Sequence, residues 1–593
     1  MQDIKTLTQR GIKLANVAMG KESADLVIQN GKLVNVNTME IQEGIDVAIV
    51  GDRIALVGDA GHCIGDETVV LDATDQYITP GFMDGHIHVE SSFLTVSEYS
   101  RSVLPHGTSA VFMDPHEIAN VLGVKGVELM LAEAEQVLLR VYTTIPSCVP
   151  AAPGLEDTGG SVSLTDIQNL IQRDDIIGLG EMMNFPGVVN GDPDVHSFIA
   201  ATLANKKCVT GHFSIPETGK MLNAYISSGT RSCHETVRAV DAVAKMRLGQ
   251  YVKIREGSAW HDLKEVIKAI TEQKVSSRFS LLVSDDNHPR TLIQKGHLDH
   301  IVKRAIEEGV NPIEAISMVS LNVAECFFLS QDFGSVSPGK VADINLLNDL
   351  TQVQVDKVIN GGKLVAEGGH LVQDSSSFIY PDWAKDTVKL KAPLKESDLI
   401  LSASGDTVSA NVIEIQEAKV GTACVVEALL VVDGAVLADI DKNIAKVAVF
   451  ERHKATGTRG LGFVKGFDFK SGAVASTYAH DAHNLLIVGT NDADMVVAGN
   501  QLAACGGGFV AVKDGEVIAL LPLPVAGLMS DHAAKEVAGE IQKLEDAWVQ
   551  LGCELVSPFM TMSLLALAVI PDIRITNKGL FDVLQFKFID VLN

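Results

Sequence analysis

The sequence predicts an α/β protein: a (β/α)8 TIM-type barrel inserted in a small β-sandwich domain and followed by a C-terminal α/β domain. Three observations carry the prediction. Residues 79–333 alternate strand-like runs with helical stretches eight times, the rhythm and size of a (β/α)8 barrel. The strand-rich texture of residues 23–78 returns at 334–375, as it does when one domain is split around an insert. Residues 395–593 then mix strands and helices over a length that suits a separate domain.

Taken in order, residues 1–22 read as a short amphipathic lead-in helix. Short strands follow at 25–31, 32–36, 46–52 and 53–58, with Asn30-Gly31 and Gly51-Asp52 placed where hairpin turns belong. The barrel strands are predicted at Phe82–His88, Ser109–Asp114, Val141–Cys148, Ile176–Met183, Cys208–His212, Ser232–Glu235, Tyr251–Glu256 and Phe279–Asp286. Helical patterns at Val124–Leu139, Leu164–Arg173, Val237–Leu248 and Asp262–Glu272 lie between them. A doubly wound open sheet is the alternative, but no GxGxxG opens a helix. Beyond 395, Ala445–Arg452, Leu485–Gly489 and Gly508–Val517 read as strands, and Asp494–Ala504 and Ala533–Leu551 as helices. Gly506-Gly507-Gly508 reads as a turn before a strand rather than a phosphate cradle.

Composition narrows the function. The chain has 593 residues, 46% hydrophobic and 21% charged, which fits a well-buried globular protein. Its formal net charge of -27 argues against nucleic-acid or anionic-membrane partners and suits a small neutral or cationic substrate. Eight cysteines without a CxxC pair read as reduced thiols of a cytoplasmic protein. The first residues lack a signal-peptide pattern, and the most apolar run, Leu564–Ile570, is far shorter than a membrane span.

Chemistry collects at the strand ends. His86 and His88, spaced i and i+2, share one face of the first barrel strand. The second strand ends in Asp114 and His116, the fourth in Glu181, the fifth in His212, the sixth in His234 and Glu235, and the eighth in Asp285 and Asp286. Catalytic groups of such barrels gather at this end. Imidazoles and carboxylates without a thiolate favour Mn, Fe or Zn, and Glu181 is able to bridge two such ions. The alternative for each residue alone is a packed histidine or a helix cap. His480-Asp481-Ala482-His483 reads either as a third metal site, as a lid over the barrel mouth, or as polar turn residues.

The runs Pro80–Ser92, Asp114-Pro115-His116-Glu117, Pro146–Pro150, Gly180–Met183, Cys233-His234-Glu235, Arg255-Glu256-Gly257-Ser258 and Ser284-Asp285-Asp286 resemble the amidohydrolase superfamily and, within it, the adenine deaminases. The likeness continues through Ser476–Asn484 and Leu521–Met529. It implies two divalent metal ions, Mn or Fe with Zn also accepted, held by His86, His88, Glu181, His212, His234 and Asp285. It implies hydrolytic deamination of adenine to hypoxanthine and ammonia in purine salvage, by a homo-oligomer of two or more chains. In that scheme Asp285 moves the proton of the attacking hydroxide to the departing amine. Glu235 is expected to protonate a ring nitrogen, and Glu90, Ser91, His116, Arg255, Glu256 and Ser258 to bind substrate. Two stretches depart from the family pattern, Phe213-Ser214-Ile215-Pro216 and Asn287-His288-Pro289, and both are expected on loops that touch substrate.

Two other functions compete. A related barrel enzyme would cleave a cyclic amide or an N-acetyl sugar, but such enzymes often bridge their metals with a modified lysine on the fourth strand, which here has Glu181 and no lysine. A non-catalytic barrel scaffold would leave a crowded ligand set as a cost without a use. Neither the HxE…PCxxC deaminase signature nor a Walker or GxSxG motif occurs.

Overall fold

The computed structural model describes residues 3–258, 260–373, 378–416, 421–555 and 558–593. A helix at Ile4–Ala18, capped by Asp3, leads into the composite sheet. The two halves of that sheet meet where Tyr77–Pro80 pairs antiparallel with Ile344–Asp349. Nine strands join in one hydrogen-bonded sheet, and Leu26, Ile28, Ile49 and Ile78 from before the barrel pack with Ile344, Leu346 and Ile359 from after it. Shared burial of these side chains is what makes the split segments one unit. Gly51-Asp52 forms the expected tight turn between strands Glu40–Val50 and Arg53–Gly58. Asn30-Gly31 does not: strand Leu26–Asn35 runs straight through it with a shift of register, and Asn30 takes a φ of 62°. The Asn-Gly pair makes a bulge here, because its tolerance of positive φ serves a bulge as well as a turn.

The eight barrel strands are β1 Phe82–Ile87, β2 Thr108–Met113, β3 Arg140–Ile145, β4 Ile176–Met182, β5 Cys208–Gly211, β6 Thr230–Cys233, β7 Tyr251–Arg255 and β8 Ser280–Val283. Every neighbouring pair from β1 to β8 is parallel. The barrel closes where the Asp285 N–H donates to the His86 carbonyl at 3.1 Å and the His88 N–H to the Asp285 carbonyl at 3.0 Å. Closure thus binds His86 of β1 and His88 just after it directly to Asp285 after β8. Phe112 of β2 stacks on Phe327, with ring centroids 4.0 Å apart, in a buried cluster with Met83, Leu281 and Val283. Each strand ends one to three residues before the sequence reading placed it, since the last polar residues turn off the ladder into the mouth. The helical stretch expected over Asp262–Glu272 is broken into Leu263–Val266 and Lys268–Thr271.

The C-terminal region forms a second nine-stranded sheet with helices Asp492–Cys505 and Ala534–Leu551, and a small three-stranded sheet. Gly508–Val517 is not one strand but a hairpin turning at Asp514-Gly515. The three glycines at 506–508 all have positive φ and form the turn into it. Phe93, Ile118 and Tyr99 from the barrel side pack in one continuous core with Tyr478, Phe509, Leu528 and Trp548. The Ser530 N–H also donates to the Phe93 carbonyl at 2.8 Å. Among the described residues no helix is long and apolar enough to cross a membrane. All eight cysteines are unpaired, and six are buried.

One buried acid lies in the seam between the regions. Glu156 accepts the Ala152 N–H at 3.0 Å, and burial, with the nearby Asp481 carboxylate, pushes its pKa from 4.5 up to about 8. Folding therefore takes up a proton between those pH values. The stability Glu156 allows is whole below the unfolded value and falls as pH rises toward about 8. Glu156→Gln, which keeps the acceptor oxygen and removes the titration, should raise the melting temperature at pH 8 and change it little at pH 5, as read by calorimetry at both pH values.

Candidate metal centre at the barrel mouth

The alternation of β1 sends His86 and His88 to the same side, at the end of the strand where the ladder gives way to a 3-10 turn over Val89–Ser92. Glu181, the penultimate residue of β4, faces them across the mouth: its Oε1 is 3.3 Å from His86 Nε2 and 2.8 Å from His88 Nε2. Its Oε2 is 2.8 Å from His212 Nδ1 and 3.5 Å from His234 Nε2. Asp285 Oδ1 lies 3.2 Å from His86 Nε2 and 3.3 Å from His88 Nε2. The six residues expected from the sequence are therefore within reach of one another. Five are buried and His212 is partly open.

Gly180 shows how tightly the mouth is built. A Cβ there would stand 2.4 Å from Asp114 Oδ2, the atom that accepts the Glu181 N–H at 2.8 Å. Asp114 so fixes the backbone that carries Glu181, and only glycine leaves it room. His88 Nδ1 in turn bonds the Asp114 carbonyl at 2.9 Å, which leaves Nε2 pointing into the mouth.

The donor set suits divalent cations. Three groups of ligand atoms converge: His86, His88 and Glu181; His86, His234 and Asp285; Glu181, His212 and His234. Glu181 belongs to two of them, one oxygen on each side. His86 Nε2 and Glu181 Oε1 are buried without a hydrogen-bond partner, which is costly for polar atoms unless a ligand meets them. Burial works to raise the Glu181 pKa, yet the imidazoles of His234 and His88 foremost hold it well below the usual carboxylate range. It is thus an anion ready to take cations.

Arg255, the last residue of β7, lies between two further carboxylates. Its Nη1 is ion-paired with Glu235 and lies 3.3 Å from Asp285 Oδ2, while its Nε donates to Asp262 at 2.8 Å. Glu235 is also 3.8 Å from His234 and is more open than His86, His88 and His234. His116 stands beside the cluster, its ring centroid 4.6 Å from that of His88. The other residues expected to bind substrate each hold a partner within the chain. Glu90 accepts the Ile118 N–H at 3.1 Å and so caps helix His116–Leu122, with burial raising its pKa to about 7. Ser91 Oγ donates to the His88 carbonyl at 2.7 Å. Glu256 faces His261 and Arg304 on the rim, and Ser258 Oγ bonds Thr291 and the His288 N–H.

Phe213 is fully buried and packs against Phe185 and Tyr225, so it is core rather than a loop contact. Sequence reasoning misses Asp262 beside Arg255 and Trp260, whose Nε1 donates to Asp286 at 2.8 Å, because neither carries a local signal. The turn at His480–His483 is buried against the mouth, where Tyr478 OH donates to Glu117 at 2.8 Å.

Residues 77–365 match the amidohydrolase family, and residues 419–587 match the adenine deaminase C-terminal domain. The chain is 54% identical over 590 residues to an adenine deaminase of Clostridium botulinum, covering 99% of this chain and 98% of that one. It is 55% identical to the adenine deaminase of Moorella thermoacetica and 45% identical to adenine deaminase 3 of Rhizobium meliloti, each over 98% of both chains. With a barrel whose strand ends carry these ligand-type residues, and likeness at this level over nearly its whole length, the chain belongs to the adenine deaminase family of the amidohydrolases.

Proposed function

We propose that the chain hydrolyses adenine to hypoxanthine and ammonia at a binuclear divalent metal centre, as a cytoplasmic enzyme of purine salvage working as a dimer or larger homo-oligomer. The observation that carries the reading is the sharing of Glu181 between the two sides of a six-residue ligand set, in a chain of this family. His86, His88, Glu181, His212, His234 and Asp285 would hold the two ions, with Mn or Fe favoured by oxygen and imidazole donors. Bound there, the ions would bring the pKa of a coordinated water down to about 7 and supply the nucleophile at neutral pH.

The remaining work falls to the chain's own carboxylates. An oxygen–carbon bond forms at C6 of adenine and the bond from C6 to the amine breaks. The water gives up two protons: one ends on the ring nitrogen beside C6, the other on the departing amine. Asp285, at the end of β8, carries the proton to the amine. Glu235 delivers the other to the ring, and Arg255, touching both carboxylates, fixes their separation. Because Glu235 is ion-paired to Arg255, it acts first as an acceptor and gives its proton on only after the water has lost it.

The direct test follows ammonia release and the adenine-to-hypoxanthine absorbance change with Mn-loaded protein, beside adenosine and a cyclic amide. Adenine should be turned over and the cyclic amide left intact; the reverse would abandon this reading. His88→Ala should lose more than about 100-fold of activity, since even partners outside the ligand set commonly carry that much, while far-UV circular dichroism stays unchanged. Glu235→Gln should lower kcat by about 10²–10⁴-fold, the usual worth of a positioned acid–base group, with metal content as in the wild type. An unchanged kcat would remove Glu235 from the proton path.

A further inference from the structure

Where the C-terminal region meets the barrel mouth, a second cluster of imidazoles and carboxylates lies outside the set that surrounds Glu181. Helix His116–Leu122 supplies His116 and Glu117 in its first turn, and the turn after strand Ala473–Ser476 supplies His480, Asp481 and His483. All five are at most 8% exposed.

We propose that His116, His480 and Asp481 form a further divalent-cation site that joins the C-terminal region to the barrel. The proposal goes beyond the binuclear centre and uses none of its six ligands. Ligand atoms of the three residues lie within 4.8 Å of one another. Asp481 Oδ1 is 3.9 Å from His116 Nε2 and 3.5 Å from His480 Nδ1. These separations exceed the 2.7–3.2 Å of a good hydrogen bond. Two donors each about 2.1 Å from a shared ion stand roughly 3.0–4.2 Å apart, depending on the angle between them. Asp481 Oδ2 is buried without a hydrogen-bond partner.

The ring of His116 faces two ways. Its Nδ1 lies toward Asp114 and Glu181, at 3.9 and 4.0 Å, so Nε2 is turned away from the Glu181 cluster and into the seam. His483 is not a ligand: its Nδ1 accepts the Ala479 N–H at 3.2 Å, which puts its proton on Nε2, 3.9 Å from Glu117. Asp481 and Glu117 lie 3.5 and 3.7 Å from His480 Nδ1, so that imidazole stands between both buried carboxyl groups. Two histidines and one carboxylate suit Fe(II), Mn(II) or Zn(II) and leave positions open for water.

The test is a metal count on the full chain. Apo protein is loaded with Mn, freed of excess by gel filtration, and assayed by plasma mass spectrometry. Three Mn per chain are expected for the wild type and two for Asp481→Asn and for His480→Gln, with His88→Ala losing ions independently of the Asp481 change. Two Mn in the wild type with two still in Asp481→Asn would overturn the site. A count that drops on Asp481→Asn but not on His88→Ala would uphold this site and sink the strand-end assignment instead. If the variants fail to fold, anomalous diffraction of wild-type crystals at the Mn edge decides: a peak about 2.2 Å from His116 Nε2 and Asp481 supports the site, and none there refutes it.

Discussion

The structure turns on one carboxylate. Glu181 is buried at the centre of a barrel mouth with four imidazoles around its two oxygens. An isolated anion at that depth would be expensive, and its position is tolerable only because positive or donor groups approach it from β1, β5 and β6 together. The surrounding residues follow from that demand. Asp114 takes the Glu181 N–H, Gly180 makes room for Asp114, and the His88 ring is set by the Asp114 carbonyl. Tyr225 OH accepts the His212 N–H at 2.9 Å and donates to the Met182 carbonyl, tying the neighbours of Glu181 on β4 and β5 to each other. Loosening any of these would misplace a ligand, and a shift of about 1 Å costs on the order of 10²-fold in rate.

The C-terminal region is part of the same construction. It covers the mouth with buried Tyr478, His480 and Asp481, and its core is continuous with that of the barrel. Arg452 anchors this cover. Fully buried, it donates to the carbonyls of His483, Thr387 and Ala526, and burial lowers its pKa to about 9. A guanidinium spent on backbone carbonyls holds a turn in one geometry, because its planar fork fixes directions that a single donor would leave free. Among the residues around Glu181, His212 and Glu235 are the more exposed ones.

Much of this was legible in the chain. The eight strands were visible because buried parallel strands read as short apolar runs bounded by polar ends, and the six ligand-type residues because each stands at such an end. What sequence could not give was direction and distance. Nothing local separates Glu90, which caps a helix, from Glu235, which reaches Arg255; both are acids just after a strand. Phe213 read as a loop residue, and only tertiary packing against Phe185 and Tyr225 turned it inward. Asn30-Gly31 carried a true preference for positive φ, but whether it makes a turn or a bulge is decided by the partner strand.

The turn at His480 is the sharpest case. Its residues are polar, sit more than 300 positions from His116, and have the composition of an exposed loop. Their burial arises because strand Ala473–Ser476 lies inside the second sheet, between Leu485–Gly489 and Gly508–Lys513, and delivers the turn to the mouth at a fixed height. Two carboxylates and three imidazoles meeting there cannot all be satisfied by one another at separations of 3.5–3.9 Å. Water or a cation completes them, and the 3.5 and 3.9 Å approaches of Asp481 Oδ1 to His480 and His116 fit donors that share one cation. A chain that spends this much buried polarity on the contact between two regions makes the barrel mouth depend on its C-terminal cover.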